Sequence, residues 1–194
     1  MYTGKGIGVA VLDTGIFPHI DFGSRISVFR DFTGVRRSPY DDNGHGTHVS
    51  GILAGDGTAS GGKYKGAAPG CSIAALKVLD RFGNGSREDV MRGISVDHGV
   101  WKAFIISVSL IFQWEQHPGI IRNRQIFLKE WKKLWDLGFV VVAAAGNQGP
   151  GAGTVTAPGS SRKIITVGSS DMLNGRKAVP EEALPLTVYA NRIW

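Results

Sequence analysis

Cysteine is nearly absent. Cys71 is the only one in 194 residues, so no intrachain disulfide forms, and its apolar neighbours read as those of a small buried hydrophobe, not of a nucleophile. No apolar run reaches about 18 residues, so no membrane-spanning helix and no membrane insertion are expected. Met1-Tyr2-Thr3-Gly4-Lys5 lacks the layout of a signal peptide, and the chain opens almost directly on a strand. A cytoplasmic protein and a mature domain without its leader both fit, and the compartment stays open. Excess charge is modest at +6, spread out except at Arg36-Arg37 and between Arg122 and Lys133, so no nucleic-acid partner is read from it. No internal repeat occurs.

What is plentiful is glycine, 28 residues, together with aliphatics, which suits an α/β domain with short turns better than a disordered chain. The length suits one domain with a real core. Continuous apolar runs at Ile7–Leu12, Cys71–Leu79, Ala103–Phe112, Phe139–Ala145 and Ile164–Gly168 read as strands buried on both faces, hence parallel, with Ile26–Phe29 as a further short strand. Helices are expected from His45 to Ala54, from a Ser86/Asp89 capping pair onward, and from Ile120 to Leu137, where Gly138 is the C-terminal cap. The last of these shows a basic solvated face over an apolar one. The alternation predicts a parallel sheet with helices on both faces.

Three polar residues stand where such sheets put their ligands, at the carboxyl ends of strands. Val9-Ala10-Val11-Leu12-Asp13-Thr14-Gly15 ends a strand on Asp13. Asp41-Asp42-Asn43-Gly44-His45-Gly46-Thr47-His48 brings His45 to a helix start through a glycine turn. Val140 to Ala145 followed by Gly146-Asn147 ends another strand on Asn147. An Asp that accepts from Nδ1–H of a His fixes its tautomer, and the His then serves as general base through Nε2. An amide NH₂ on a glycine-bounded turn suits a developing oxyanion. Other readings of the same residues are an Asp-Thr-Gly aspartic-protease site, at odds with the helices, and metal ligation by His45 and His48 with Asp13 or Asp42 as third ligand, which lacks the metalloprotease Glu. His48 reads as structural, and Asp41 and Asp42 as loop acids.

In order and wording these segments resemble the subtilisin-like serine proteases. Ala10–Gly15 is similar to their Asp motif, Asn43–Gly51 to their His motif, and Ala144–Gly149 to their oxyanion motif. The resemblance spans roughly residues 5–171, weakest over 95–133, and the tail 172–194 shows none. It implies a three-layer α/β/α fold with a mainly parallel sheet. It also implies serine endopeptidase activity, with Asp13 and His45 catalytic and Asn147 in the oxyanion hole. Gly83, Asn84, Gly85, Ser109 and Leu110 would bind the backbone of an extended peptide or protein substrate. No cofactor is required; Asp21 matches a position that binds structural calcium in relatives.

Two departures accompany the match. Ser107-Val108-Ser109-Leu110-Ile111-Phe112 puts bulky residues where the family's cleft strand ends in glycines. No Gly-Thr-Ser-Met-Ala-x-Pro string occurs, the nearest being Gly57-Thr58-Ala59-Ser60 in the loop after the His helix. The chain is therefore expected to stop before the nucleophile, with the C-terminal part of the fold missing and no measurable activity alone. The alternatives are a non-catalytic peptide-binding remnant and the product of a frame-shifted gene.

Overall fold

The computed structural model describes residues 2–95, 105–108, 128–147, 154–155, 157–169 and 186–189. The chain divides into two units, Met1–Ser109 and Leu110–Trp194.

The first unit is a parallel sheet of β1 (Gly8–Asp13), β2 (Ile26–Asp31), β3 (Ser72–Lys77) and β4 (Ile105–Val108) in the order β2-β3-β1-β4. Helix α1 (His45–Ala54) joins β2 to β3, and α2 (Arg87–Ile94) follows β3. Strand β1 sits inside the sheet, and its apolar run is explained by burial on both faces: Val9, Ala10, Val11 and Leu12 are all at most 4% exposed. Val9 and Val11 face one cluster with Ala54, Ile73 and Ala75, against which Val49 and Leu53 of α1 pack. Leu12 faces the other way, toward Gly93 of α2, whose missing Cβ would lie 3.0 Å from Val78 and 3.7 Å from Leu12. Val9, Val11 and Leu12 each contribute about 1.5–3 kcal/mol over the exposed state. Burial on both faces thus makes β1 a rigid rail that carries Asp13.

The expected capping pair is present: Ser86 Oγ accepts from Asp89 N–H at 3.0 Å at the start of α2. Cys71 is fully buried, and burial pushes its thiol up. One polar group in this core has no partner among the described residues. Ser50, on the buried side of α1, has an unsatisfied hydroxyl. Ser50→Ala is expected to stabilise the domain by about 1 kcal/mol, through removal of that hydroxyl and better helix propensity. Urea denaturation measures it; a loss of stability would mean that the hydroxyl has a partner.

In the second unit residues 128–136 form α3, the described part of the expected Ile120–Leu137 helix. Trp131 and Leu134 are buried while Lys129, Lys132 and Lys133 are exposed, as the two-faced pattern predicts. Gly138 closes it at φ 91°, its N–H donating to Trp135 O at 2.9 Å while Phe139 N–H reaches Leu134 O at 3.0 Å. Strand β5 (Val140–Ala144) pairs parallel with β6 (Ile165–Ser169), and β7 (Leu186–Tyr189) pairs antiparallel with β6. Strand β7 lies beyond the strands that the sequence predicts, because a short run after Pro185 carries no period of its own. Among the described residues no helix is long and apolar enough to cross a membrane.

Candidate active site

Strand β1 delivers Asp13 to its carboxyl end with a side chain only 1% exposed. Thr14 N–H donates to Asp13 Oδ1 at 2.6 Å, which holds the carboxylate in one rotamer. The chain then turns at Gly15, whose φ of 122° and position against Tyr40 O, 2.2 Å from where a Cβ would sit, admit only glycine. On the other side Gly44, at φ 101°, turns the chain so that α1 begins on His45 itself. Gly46 lets the first turn of α1 rest directly on the Asp13–Gly15 backbone.

The outcome is a two-oxygen contact. His45 Nδ1 lies 2.8 Å from Asp13 Oδ1 and 3.0 Å from Oδ2. A carboxylate only accepts, so Nδ1 carries the proton and Nε2 of the neutral ring keeps a free lone pair. The His45 side chain is 51% exposed, so that lone pair can meet a substrate-side proton. Within the first unit's described residues the imidazole has Asp13 as its hydrogen-bond partner and no serine hydroxyl. Ser60, from the string nearest to a nucleophile motif, donates to Gly57 O and accepts from Tyr64 N–H, each at 2.9 Å, and is spent on its own turn.

Gly83, Asn84 and Gly85 form an exposed turn, stapled by Asp80 N–H to Asn84 O at 2.7 Å and by Asn84 N–H to Asp80 Oδ1 at 2.9 Å. Asn43 bridges this turn to the helix start, since its Nδ2 donates to Arg81 O at 3.0 Å and its Oδ1 accepts from His45 N–H at 3.1 Å. In the second unit Asn147 sits exposed in a bend just past β5, behind Gly146 at φ 105°. Ser109 and Leu110 lie outside the described residues. His48 is on α1 with an exposed side chain, so its structural reading does not rest on core packing.

Two residues without an expected role bond closely around the Asp13–His45 pair. Asp41, expected to be a loop acid, accepts from five donors. The signal that would have found it is the Asp three residues ahead of a glycine-capped helix that has no capping side chain of its own. Lys77 is fully buried and donates to Thr14 O and Asp42 Oδ1, each at 2.7 Å, and to Leu79 O at 2.8 Å. It braces the same turn from the β3 side. Nothing in its strand pattern marks it, because a lysine in an apolar run looks like a rim residue until its acceptors are in place.

Burial pushes the Asp41 carboxyl up, but hydrogen bonds from the Thr47 side chain and from the Gly44, Thr47 and Asn43 backbones outweigh it and bring it down to about 2. Its free form titrates near 3.8, so this stabilisation is complete above about pH 4 and is lost as pH falls through about 2. Tyr40 is moved the other way, to about 12, by burial and by its 2.7 Å hydrogen bond to Asp31. Its contribution holds below about pH 10 and fades as pH rises through about 12. Unfolding followed by circular dichroism is expected to show an acid limb that Asp41→Asn reduces and an alkaline limb that Tyr40→Phe reduces. Identical limbs in the variants would refute these assignments.

Among the described residues no group of three His, Cys, Asp or Glu side chains is placed to hold a metal. Around Asp21 the backbone carbonyl serves the Arg25 guanidinium, while the carboxylate holds a loop N–H. Asp21 Oδ1 accepts from Ala59 N–H at 2.6 Å, and Asp21 O accepts from Asp56 N–H and from the Arg25 guanidinium. Arg25 also donates to Ala54 O at 2.6 Å and lies 3.5 Å from the Asp56 carboxylate.

Fold and pair together define the class: an α/β protein with a buried Asp at the carboxyl end of a parallel strand bonded to a half-exposed His at a helix start. The subtilase family (peptidase S8) model matches residues 4–187, and the chain belongs to that family. It is 40% identical over 180 residues to serine protease AprX of Bacillus subtilis, covering 87% of this chain and 39% of that protein. Minor extracellular protease Vpr of the same organism is 33% identical over 187 residues, 88% of this chain and 21% of Vpr. Subtilisin Savinase of Lederbergia lenta is 33% identical over 190 residues, 97% of this chain and 64% of Savinase. The chain thus spans less than two thirds of each of these relatives.

Proposed function

We propose that residues 1–194 carry the acid–base part of a serine endopeptidase and not its nucleophile. Asp13 orients and His45 acts as general base and then general acid. Asn147 donates to the oxyanion. The Gly83–Gly85 turn, with Ser109 and Leu110, lines the backbone of an extended peptide or protein substrate. The observation that carries this reading is the 2.8 Å contact between a buried Asp13 and a half-exposed His45. A structural calcium ion held by the Asp21 carboxylate is compatible with the proposal, since Arg25 bonds only the backbone carbonyl of that residue. No other cofactor is required by the chemistry.

A serine-directed fluorophosphonate and a fluorogenic peptide test the reading on the purified chain. The expected result is no covalent label and no turnover. Labelling of any serine overturns the placement of the nucleophile outside these residues. A second reading, a module that binds peptide without cleaving it, draws on the exposed Gly83–Gly85 turn. Calorimetric binding of an extended peptide that survives His45→Ala but not bulky substitution of Gly85 favours it.

A further inference from the structure

Asp13 and His45 belong to different elements, and something must set the gap between them. Strand β1 and helix α1 meet through short backbone turns, and α1 lacks the usual aid to register: its N-cap, Gly44, offers no side-chain hydrogen bond. The Asp41 carboxylate stands in the gap. Its Oδ1 accepts from Thr14 Oγ1 at 2.9 Å on the Asp13 side, and from Asn43 N–H at 3.1 Å and Gly44 N–H at 2.9 Å in the turn. Its Oδ2 accepts from Thr47 N–H at 2.9 Å and Thr47 Oγ1 at 2.5 Å on the helix side. The two threonines carry the tie onward. Thr14 Oγ1 accepts from Gly46 N–H at 2.9 Å, beside His45, and Thr47 Oγ1 accepts from Phe17 N–H at 2.9 Å, beyond the Asp13 turn. The strand that holds the acid and the helix that holds the base thus both bond to one side chain, which also orients the two threonines that tie them directly.

We propose that Asp41 is a positioning residue: its carboxylate clamps the end of β1 to the first turn of α1 and so sets the Asp13–His45 contact. The chemical type matters. Five donors converge on two oxygens, so only an acceptor-only group satisfies them all, and charge-assisted bonds are the stronger kind. An amide of the same shape would turn an NH₂ toward either Thr47 or the Asn43–Gly44 turn and lose at least one arm. Lys77 does not replace this function, since its bonds to Thr14 O and Leu79 O run to β1 and β3 segments and its only link to the His turn is Asp42. The importance of the clamp for catalysis rests on the reading of His45 as the general base; its effect on geometry does not.

The test is therefore spectroscopic and independent of turnover. In the full chain labelled with ¹⁵N-histidine, the His45 Nδ1–H bonded to Asp13 gives a low-field proton resonance, identified by its loss in Asp13→Ala. In Asp41→Asn, with amide dispersion still that of a folded protein, that proton is expected to exchange with water about tenfold faster or more, as befits loss of a charge-assisted arm. A folded Asp41→Asn with wild-type resonance and exchange overturns the proposal. If Asp41→Asn does not fold, Thr47→Ala decides: it removes one donor, keeps the charge, and frees only the exposed Phe17 N–H. A smaller acceleration in the same direction supports the clamp, and an unchanged resonance overturns it. Failure of the protease reading looks different, because the resonance would respond to Asp41 while His45→Ala left peptide hydrolysis of a nucleophile-supplied chain untouched.

Discussion

Once the chain is supplied with a serine nucleophile, His45→Ala is expected to lower kcat by about 10⁶-fold and Asp13→Asn by about 10⁴-fold, with KM little changed. A chimera in which the nucleophile-bearing segment of an active serine protease follows the matched region provides that nucleophile. The difference between the two losses follows from the geometry. Without His45 no group accepts the serine proton, and the nucleophile attacks at the reactivity of a neutral hydroxyl. With Asn at position 13 the imidazole stays in place, but the amide can donate as well as accept, so Nδ1 need no longer carry the proton and Nε2 is no longer held as the base. A loss of less than tenfold in either variant of an active chimera would remove that residue from the mechanism.

Gly46→Ala is expected to destabilise the first unit by about 3 kcal/mol and to part His45 from Asp13. A methyl at this position would sit 2.2 Å from Gly15 O and 3.1 Å from Asp13 Cβ. The obstacle is backbone, so no rotamer change relieves it and α1 must move away from the end of β1. Gly51→Ala, one and a half turns further along the same helix, meets nothing within 4 Å. There the methyl only raises helix propensity, and the domain is expected to gain about 0.5–1 kcal/mol. Urea denaturation of both variants checks the pair. Equal signs would show that helix propensity, not the close approach at Gly46, governs glycine in α1.

Much of this architecture was legible in the residues. The first strand, the helix start at His45, the Ser86 cap and the Gly138 stop all follow from local rules: continuous apolar runs, glycine where φ is positive, a hydroxyl ahead of an acid. Asp13 and His45 were identifiable as partners because each ends or begins an element whose direction the pattern specifies. The clamp at Asp41 and the brace at Lys77 were not, because their partners lie on other segments. Thr14 is 27 residues from Asp41, and Asp42 is 35 from Lys77. A carboxylate in a polar loop and a lysine in an apolar strand carry no local sign of such bonds.

The amino-acid order alone thus settles most of the elements, β7 excepted, and which side chains stand at the ends of β1 and α1, since hydrophobic period and glycine placement act within a few residues. The approach of Asp13 to His45, and the anchoring of both through Asp41 and Lys77, arise only when β1, α1 and β3 pack. Burial then removes water from a few polar groups, and each must find its partner across the fold.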